Sequence, residues 1–138
     1  MDLYTTFATI AGGDVPEDRI IDGVDQAAFF LGEQERSNRE SVVIYVGDEL
    51  YGVKWRNWKI VANELDKGFA SPVKSFEIPL FYNLHLDPKE EYPMQRAEEN
   101  LWVRYPASEV VLQHVISLQK EPPIPPGTPD PYLPKPGK

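Results

Sequence analysis

The stretch SVVIYVGDELYGVKWRNWKIVA, residues 41–62, constrains this chain more than any other. Its period is two. β-Branched and aromatic residues alternate with polar ones, and turn residues interrupt it at Gly47-Asp48-Glu49 and at Arg56-Asn57. Such a segment can only be antiparallel strands joined by tight turns. With Arg56-Asn57 as a two-residue loop, Trp55 faces Trp58, Val53 faces Ile60 and Tyr51 faces Ala62. These six residues then share one apolar side of the pleat, and Leu50, Gly52, Lys54, Lys59 and Val61 share the other. Each large aromatic buried on that side contributes on the order of 2–3 kcal/mol. The register also sets Lys54 against Lys59, a like-charge pair for Asp48, Glu49 or Glu64 to offset. Arg-Asn is a poorer primed turn than Asn-Gly, so a longer loop stays open. A solvent-facing tryptophan platform for a sugar or a base is the competing reading of the same residues.

Elsewhere the period is helical or absent. Residues 2–11 place Leu3, Phe7, Ile10 and Ala11 on one helix face, with Asp2 as cap and Gly12-Gly13 as stop. Residues 26–32, QAAFFLG, read as one or two helical turns, and EQERSNRE after them as a wet loop. A loop is expected over 63–77. A fourth strand is expected over 78–86, at a sheet edge because Pro79 cannot donate to a ladder. Residues 107–121 carry Val111, His114, Val115 and Leu118 at helical spacing, with Ser108 as N-cap and Pro122-Pro123 as stop. The last segment, 122–138, holds eight of the chain's 14 prolines and reads as extended, polyproline-like backbone. The fold class is therefore α+β. A four-stranded antiparallel sheet packs against a C-terminal helix, with short helices before it and a proline-rich tail after it.

Composition narrows the chemistry. A formal net charge of −8 opposes general nucleic-acid binding, which needs a basic stripe; Lys54, Arg56 and Lys59 are the only local patch. There is no cysteine, so no thiolate nucleophile or Cys-ligated zinc can form. The opening residues lack a basic, apolar signal-peptide pattern, no run reaches the roughly 20 apolar residues of a membrane span, and the compartment stays open. His85, beside the fourth strand, reads as a surface or packing residue, and His114, on the last helix, as a core or partner-facing one; His114 becomes an acid–base group only with an orienting carboxylate. Glu90 and Glu91 are adjacent and point apart, unlike paired catalytic carboxylates. No catalytic, cofactor or metal residue is assigned to any position.

Three stretches in order resemble the sulfatase family: DLYTTFATIAGGDVPEDRIIDGVD, VGDELYGVKWRNWKIV and PLFYNLHLDPKEEYP. From Trp102 to PPIPPGTPDPY the chain resembles the tail of bacterial arylsulfatases. The resemblance implies the C-terminal portion of such an enzyme. Residues 1–36 would be remnant helices and connector of the catalytic domain, 37–121 the C-terminal subdomain, and 122–138 the tail. In the family, hydrolysis uses a formylglycine made within Cys/Ser-x-Pro-x-Arg, together with calcium. Neither that signature nor the family's calcium ligands have a counterpart here, and Ser71-Pro72 has the wrong spacing. The implied reading is a supporting part of a sulfuric ester hydrolase, inactive alone. Its partner would be the missing catalytic domain or, in its absence, a second copy. The alternative is a free-standing module that docks through its proline tail or holds a glycan on its tryptophans.

Overall fold

The computed structural model describes residues 2–17, 20–65, 71–94 and 97–129. Two short helices, α1 (Asp2–Ile10) and α2 (Ala27–Phe30), precede four strands. The strands β1 (Ser41–Val46), β2 (Glu49–Trp55), β3 (Trp58–Leu65) and β4 (Val73–Asn83) form one antiparallel sheet in sequence order. A 3₁₀ segment, Ala97–Val103, leads directly into α3 (Arg104–Lys120). This is the α+β arrangement expected from the patterning.

The hairpin register agrees with the pleat argument. Trp55 pairs with Trp58, Lys54 with Lys59 and Val53 with Ile60. The two-residue loop holds because Arg56 takes a positive φ of 51°, as primed turns require at that position. Val53, Trp58, Ile60 and Phe81 then meet Val103 and Ala107 in the main core, with Trp55, Met94, Val110 and Val111 packed around them. The packed side of α3 follows from this: after Val103 at the end of the 3₁₀ segment, Ala107, Val110 with Val111, and His114 recur one turn apart, while Val115 turns outward and is 40% exposed.

Four expectations need correction. Tyr51 does not share the side of Val53. Tyr45 pairs with Leu50 and Ile44 with Gly52, so Tyr51 is the extra residue of a β-bulge. The bulge brings Leu50 to the α3 side, beside Val53 and Ile60, and turns Tyr51 to the opposite side, beside Ile44 and Val61. The loop expected over 63–77 is shorter, because β3 runs to Leu65 and β4 starts at Val73. There the ladder steps from Val61↔Leu80 to Asn63↔Ser75. The residues skipped on β4 include Pro79, which has no N–H to lose, and β4 is indeed an edge strand. Its other end is Asn83, and His85 lies in the turn that follows, closed by Leu86 N–H on the Asn83 carbonyl at 3.0 Å. Ser108 is not an N-cap: α3 begins at Arg104, and Pro106 sits in its first turn, where the missing N–H costs nothing.

The N-terminal part is built with reversed polarity. α1 buries Thr5 and Thr6 and exposes Leu3, Phe7 and Ile10 at 49–58%. Thr6 Oγ1 donates to the Asp2 carbonyl at 2.7 Å and accepts from Gln26 N–H at 3.0 Å. Gln26 Oε1 in turn accepts from Ser37 Oγ and Asn38 N–H. Of the tail, residues 130–138 lie outside the described residues; residues 122–129 carry no helix or strand, and Thr128 N–H closes a turn on the Pro125 carbonyl at 3.1 Å.

One glycine is required by this packing. A Cβ on Gly52 would stand 2.3 Å from the Ile60 carbonyl oxygen, a backbone atom that cannot swing away. Gly52→Ala should therefore destabilise the fold by on the order of 2 kcal/mol or more in a urea melt, whereas Gly47→Ala, in the β1–β2 turn with open space around it, should lose only about half as much.

Candidate functional site

The tryptophan ribbon is a packed cluster. Trp58 is 8% exposed, Trp55 is half-buried, and Trp102 stands edge-on to both, with ring centroids 6.3 Å from Trp55 and 5.9 Å from Trp58. Trp102 was not part of the hairpin argument; its 3₁₀ segment brings it there, and no periodicity marks that segment in the sequence. The Arg56 guanidinium caps the Trp55 ring at 4.8 Å and pairs with Glu40 at 3.0 Å, both carried on exposed side chains. Trp58 is thus a packed residue of the hairpin, while Trp102 lies over it with 55% of its own surface exposed.

The cations beside them have local partners. Lys54 Nζ donates to the Arg56 carbonyl at 2.6 Å, and Lys59 pairs with Glu90. Glu90 therefore offsets the Lys54–Lys59 opposition, not Asp48, Glu49 or Glu64. Glu90 reaches Lys59 because the turn after β4 is organised by Asp87, whose carboxylate accepts the Glu91 and Tyr92 N–H groups at 3.2 and 2.8 Å. Glu90 itself adopts a positive φ of 59° there.

The remaining singled-out residues lie apart. His85 is exposed, and its backbone N–H binds Asn83 Oδ1 at 3.1 Å. His114 Nε2 meets the Tyr45 hydroxyl at 2.9 Å, joining α3 to β1, so a phenol orients it instead of a carboxylate. Among the described residues no group of three or more His, Asp and Glu is placed to hold a metal ion. No helix among the described residues is long and apolar enough to cross a membrane.

The strongest electrostatic feature lies at the N-terminal end. Arg39 clamps the Asp2 carboxylate through both Nε and Nη2, and Nη2 also donates to the Asp22 carbonyl at 2.5 Å. Asp2 additionally accepts from Val24 N–H at 3.0 Å, so it ties α1 to the connector and to β1 instead of capping the helix. The Arg39 hydrogen bonds hold the Asp2 carboxyl down to about 2, against the opposing effect of burial, and the Val24 amide adds to the lowering. The Arg39 guanidinium is raised by the same partner.

No family model matches the chain. Among solved structures, the PsFucS1 sulfatase from Pseudoalteromonas sp. superposes over 90% of this chain and 26% of its own, with a TM-score of 0.78 and 24% identity. The fold is that of a portion of a sulfatase. Among curated proteins, human steryl-sulfatase is 31% identical over 120 residues, which cover 72% of this chain and 21% of that protein. The N-acetylgalactosamine-6-sulfatase of Canis lupus familiaris is 31% identical over 139 residues, covering 86% of this chain and 26% of its own length. The chain is a sulfatase-family sequence that spans about a fifth to a quarter of the length of these relatives.

The family's formylglycine and calcium do not fit the residues present. The sequence contains no cysteine and no Cys/Ser-x-Pro-x-Arg run, and no carboxylate cluster is assembled among the described residues.

The Asp2 clamp has a defined acid dependence. Its folded value lies below the ordinary 3.8, so its contribution is complete above about pH 4 and is lost as pH falls towards 2. A carboxyl-detected NMR titration should place the Asp2 midpoint near 2, and Arg39→Ala should return it towards 3.8.

Proposed function

We propose that this chain is the C-terminal supporting part of an arylsulfatase-like sulfuric ester hydrolase and that it does not hydrolyse sulfate esters by itself. The observation that carries this reading is the reversed polarity of α1. A helix that buries Thr5 and Thr6 and presents Leu3, Phe7 and Ile10 to solvent is arranged for contact with further protein. The neighbouring α2 repeats the pattern, with Phe29 and Phe30 exposed at 38% and 53%. The short span of the match relative to full sulfatases supports the same reading, since most of such an enzyme lies beyond what this chain matches. The partner is the catalytic part of a sulfatase; without it, a second copy of this chain takes the apolar face.

The role follows from the packing. Asp2 and Arg39 fix α1 and the connector against the start of β1, and the tryptophan cluster fixes the sheet against α3. A rigid sheet thereby holds an apolar helix pair at a set angle for a larger domain to pack on. Binding, orientation and proton transfer at the ester would belong to that domain.

Two measurements test this. Purified chain supplied with calcium and 4-nitrophenyl sulfate should release nitrophenol no faster than buffer, and turnover above buffer would refute the silent role. Light scattering at micromolar concentration should report dimer or larger species, and Phe7→Glu should shift them to monomer, with an unchanged melting profile. A wild-type monomer at all concentrations would count against an adhesive α1 face.

A further inference from the structure

Two exposed features of this chain are chemical complements, and they lie at opposite ends of one helix. The first is aromatic and sits where the 3₁₀ segment enters α3. Trp102 is more than half exposed, and edge contacts to Trp55 and Trp58 hold its ring in place. Tyr105, three residues on and therefore beside it on the helix surface, is 82% exposed. Leu101 and Leu112 continue this outer face of α3, away from Ala107, Val110 and Val111.

The second feature follows the helix, at residues 122–126. Four of these five residues are proline, which fixes φ near about −65°. Pro122, Ile124 and Pro125 each precede a further proline, which keeps them extended. Such backbone is polyproline II, stiff and without internal hydrogen bonds. Residues 121–129 form no helix or strand and are exposed throughout, Ile124 at 78%. Directly after the segment, Gly127 takes a φ of 81° and Thr128 N–H binds the Pro125 carbonyl, so a tight turn fixes its end. Aromatic side chains recognise this kind of backbone: prolines stack on the rings, and the free carbonyls accept from indole N–H and tyrosine hydroxyl groups. Little entropy is lost, because the segment is stiff beforehand.

Distance decides which patch the segment can reach. Tyr105 and Lys120 both lie in α3 and are about 22 Å apart along its axis. Ile124 is four residues past Lys120 and reaches back at most about 14 Å. A copy therefore cannot set residues 122–126 on its own Trp102 and Tyr105. Two copies with antiparallel α3 helices can, and a single two-fold axis makes both contacts at once. Leu112, midway between the patch and the segment, then lies near that axis.

We propose that residues 122–126 of one copy dock on the Trp102–Tyr105 patch of a second copy, reciprocally across a two-fold axis. The contact does not rest on the supporting role proposed above, because it uses α3 and the tail and leaves the outer side of α1 open. One short segment per copy buries well under the ~1,600 Å² of a standard interface, so this association is weak and is read at millimolar concentration.

The test uses the full chain carrying Phe7→Glu, which blocks the α1 face. Isotope-labelled and unlabelled copies are mixed at millimolar concentration for isotope-filtered nuclear Overhauser spectra. Cross-peaks should connect the Ile124 methyls of one copy to the Trp102 and Tyr105 rings of the other, with a Trp102 indole shift that fades on dilution. Excess synthetic peptide EPPIPPGTP, residues 121–129, should remove the cross-peaks by competition. Tyr105→Ala and Ile124→Ser, both at exposed positions, should each weaken the association roughly ten-fold with unchanged melting profiles. The proposal is overturned if no cross-peaks connect two copies, if they arise only within one copy, if the peptide does not compete, or if both variants associate as tightly as their parent. Light scattering of the unmutated chain at micromolar concentration reads the α1 face and bears on none of these outcomes.

Discussion

The pairing of Trp55 with Trp58 is the constraint on which the rest of this molecule depends. In a two-residue hairpin the register admits no slip, because a one-residue shift would turn every core residue of β2 and β3 to the other side. Trp102, from the 3₁₀ segment, then packs edge-on against the pair, and that contact sets where α3 begins its run across the sheet. Val103, which ends that segment, and Ala107, in the first turn of α3, are both almost fully buried. The helix is therefore positioned by its first turn, and its later turns rest mainly on β2 and β1.

Two kinds of cohesion meet in one chain. The sheet and α3 are held by apolar burial, with Phe81 at 2% and Val103 at 0% exposure in the centre. The α1 end is held by polar groups: the Thr6–Gln26 contacts, the Gln26 carbonyl oxygen shared by Ser37 and Asn38, and the Asp2–Arg39 clamp. Such hydrogen bonds contribute modestly on balance, about 1 kcal/mol each, so this end is the weaker part of the structure. The supporting role proposed above calls for such an asymmetry, with the outer face of α1 in a larger interface and the sheet as the fixed support.

Much of this was legible in the sequence, and the misses share a cause. Alternation over 41–62 defined β1 to β3 because its signal is local and two turns punctuate it. The Tyr51 inversion was invisible because a β-bulge leaves the residue pattern unchanged while altering which side it faces. Residues 97–106 lay outside the helix that the patterning assigned, because they carry no helical period; Pro106 is accommodated in the first turn of α3. The role of Glu90 was hidden because Lys59 and Glu90 are brought together only after β4 and its turn fold back. His114 was correctly placed on the packed side of α3, but its partner, Tyr45, lies in a different element 69 positions away.

Amide hydrogen exchange under native conditions measures this hierarchy directly. If the tryptophan-locked hairpin anchors the molecule, the amides of Val53, Ile60 and Ala107 exchange last and together, at the rate of global unfolding, while those of α1 exchange well before them. Equal or greater protection of α1, or early exchange at the Trp55–Trp58 hairpin, would contradict the account.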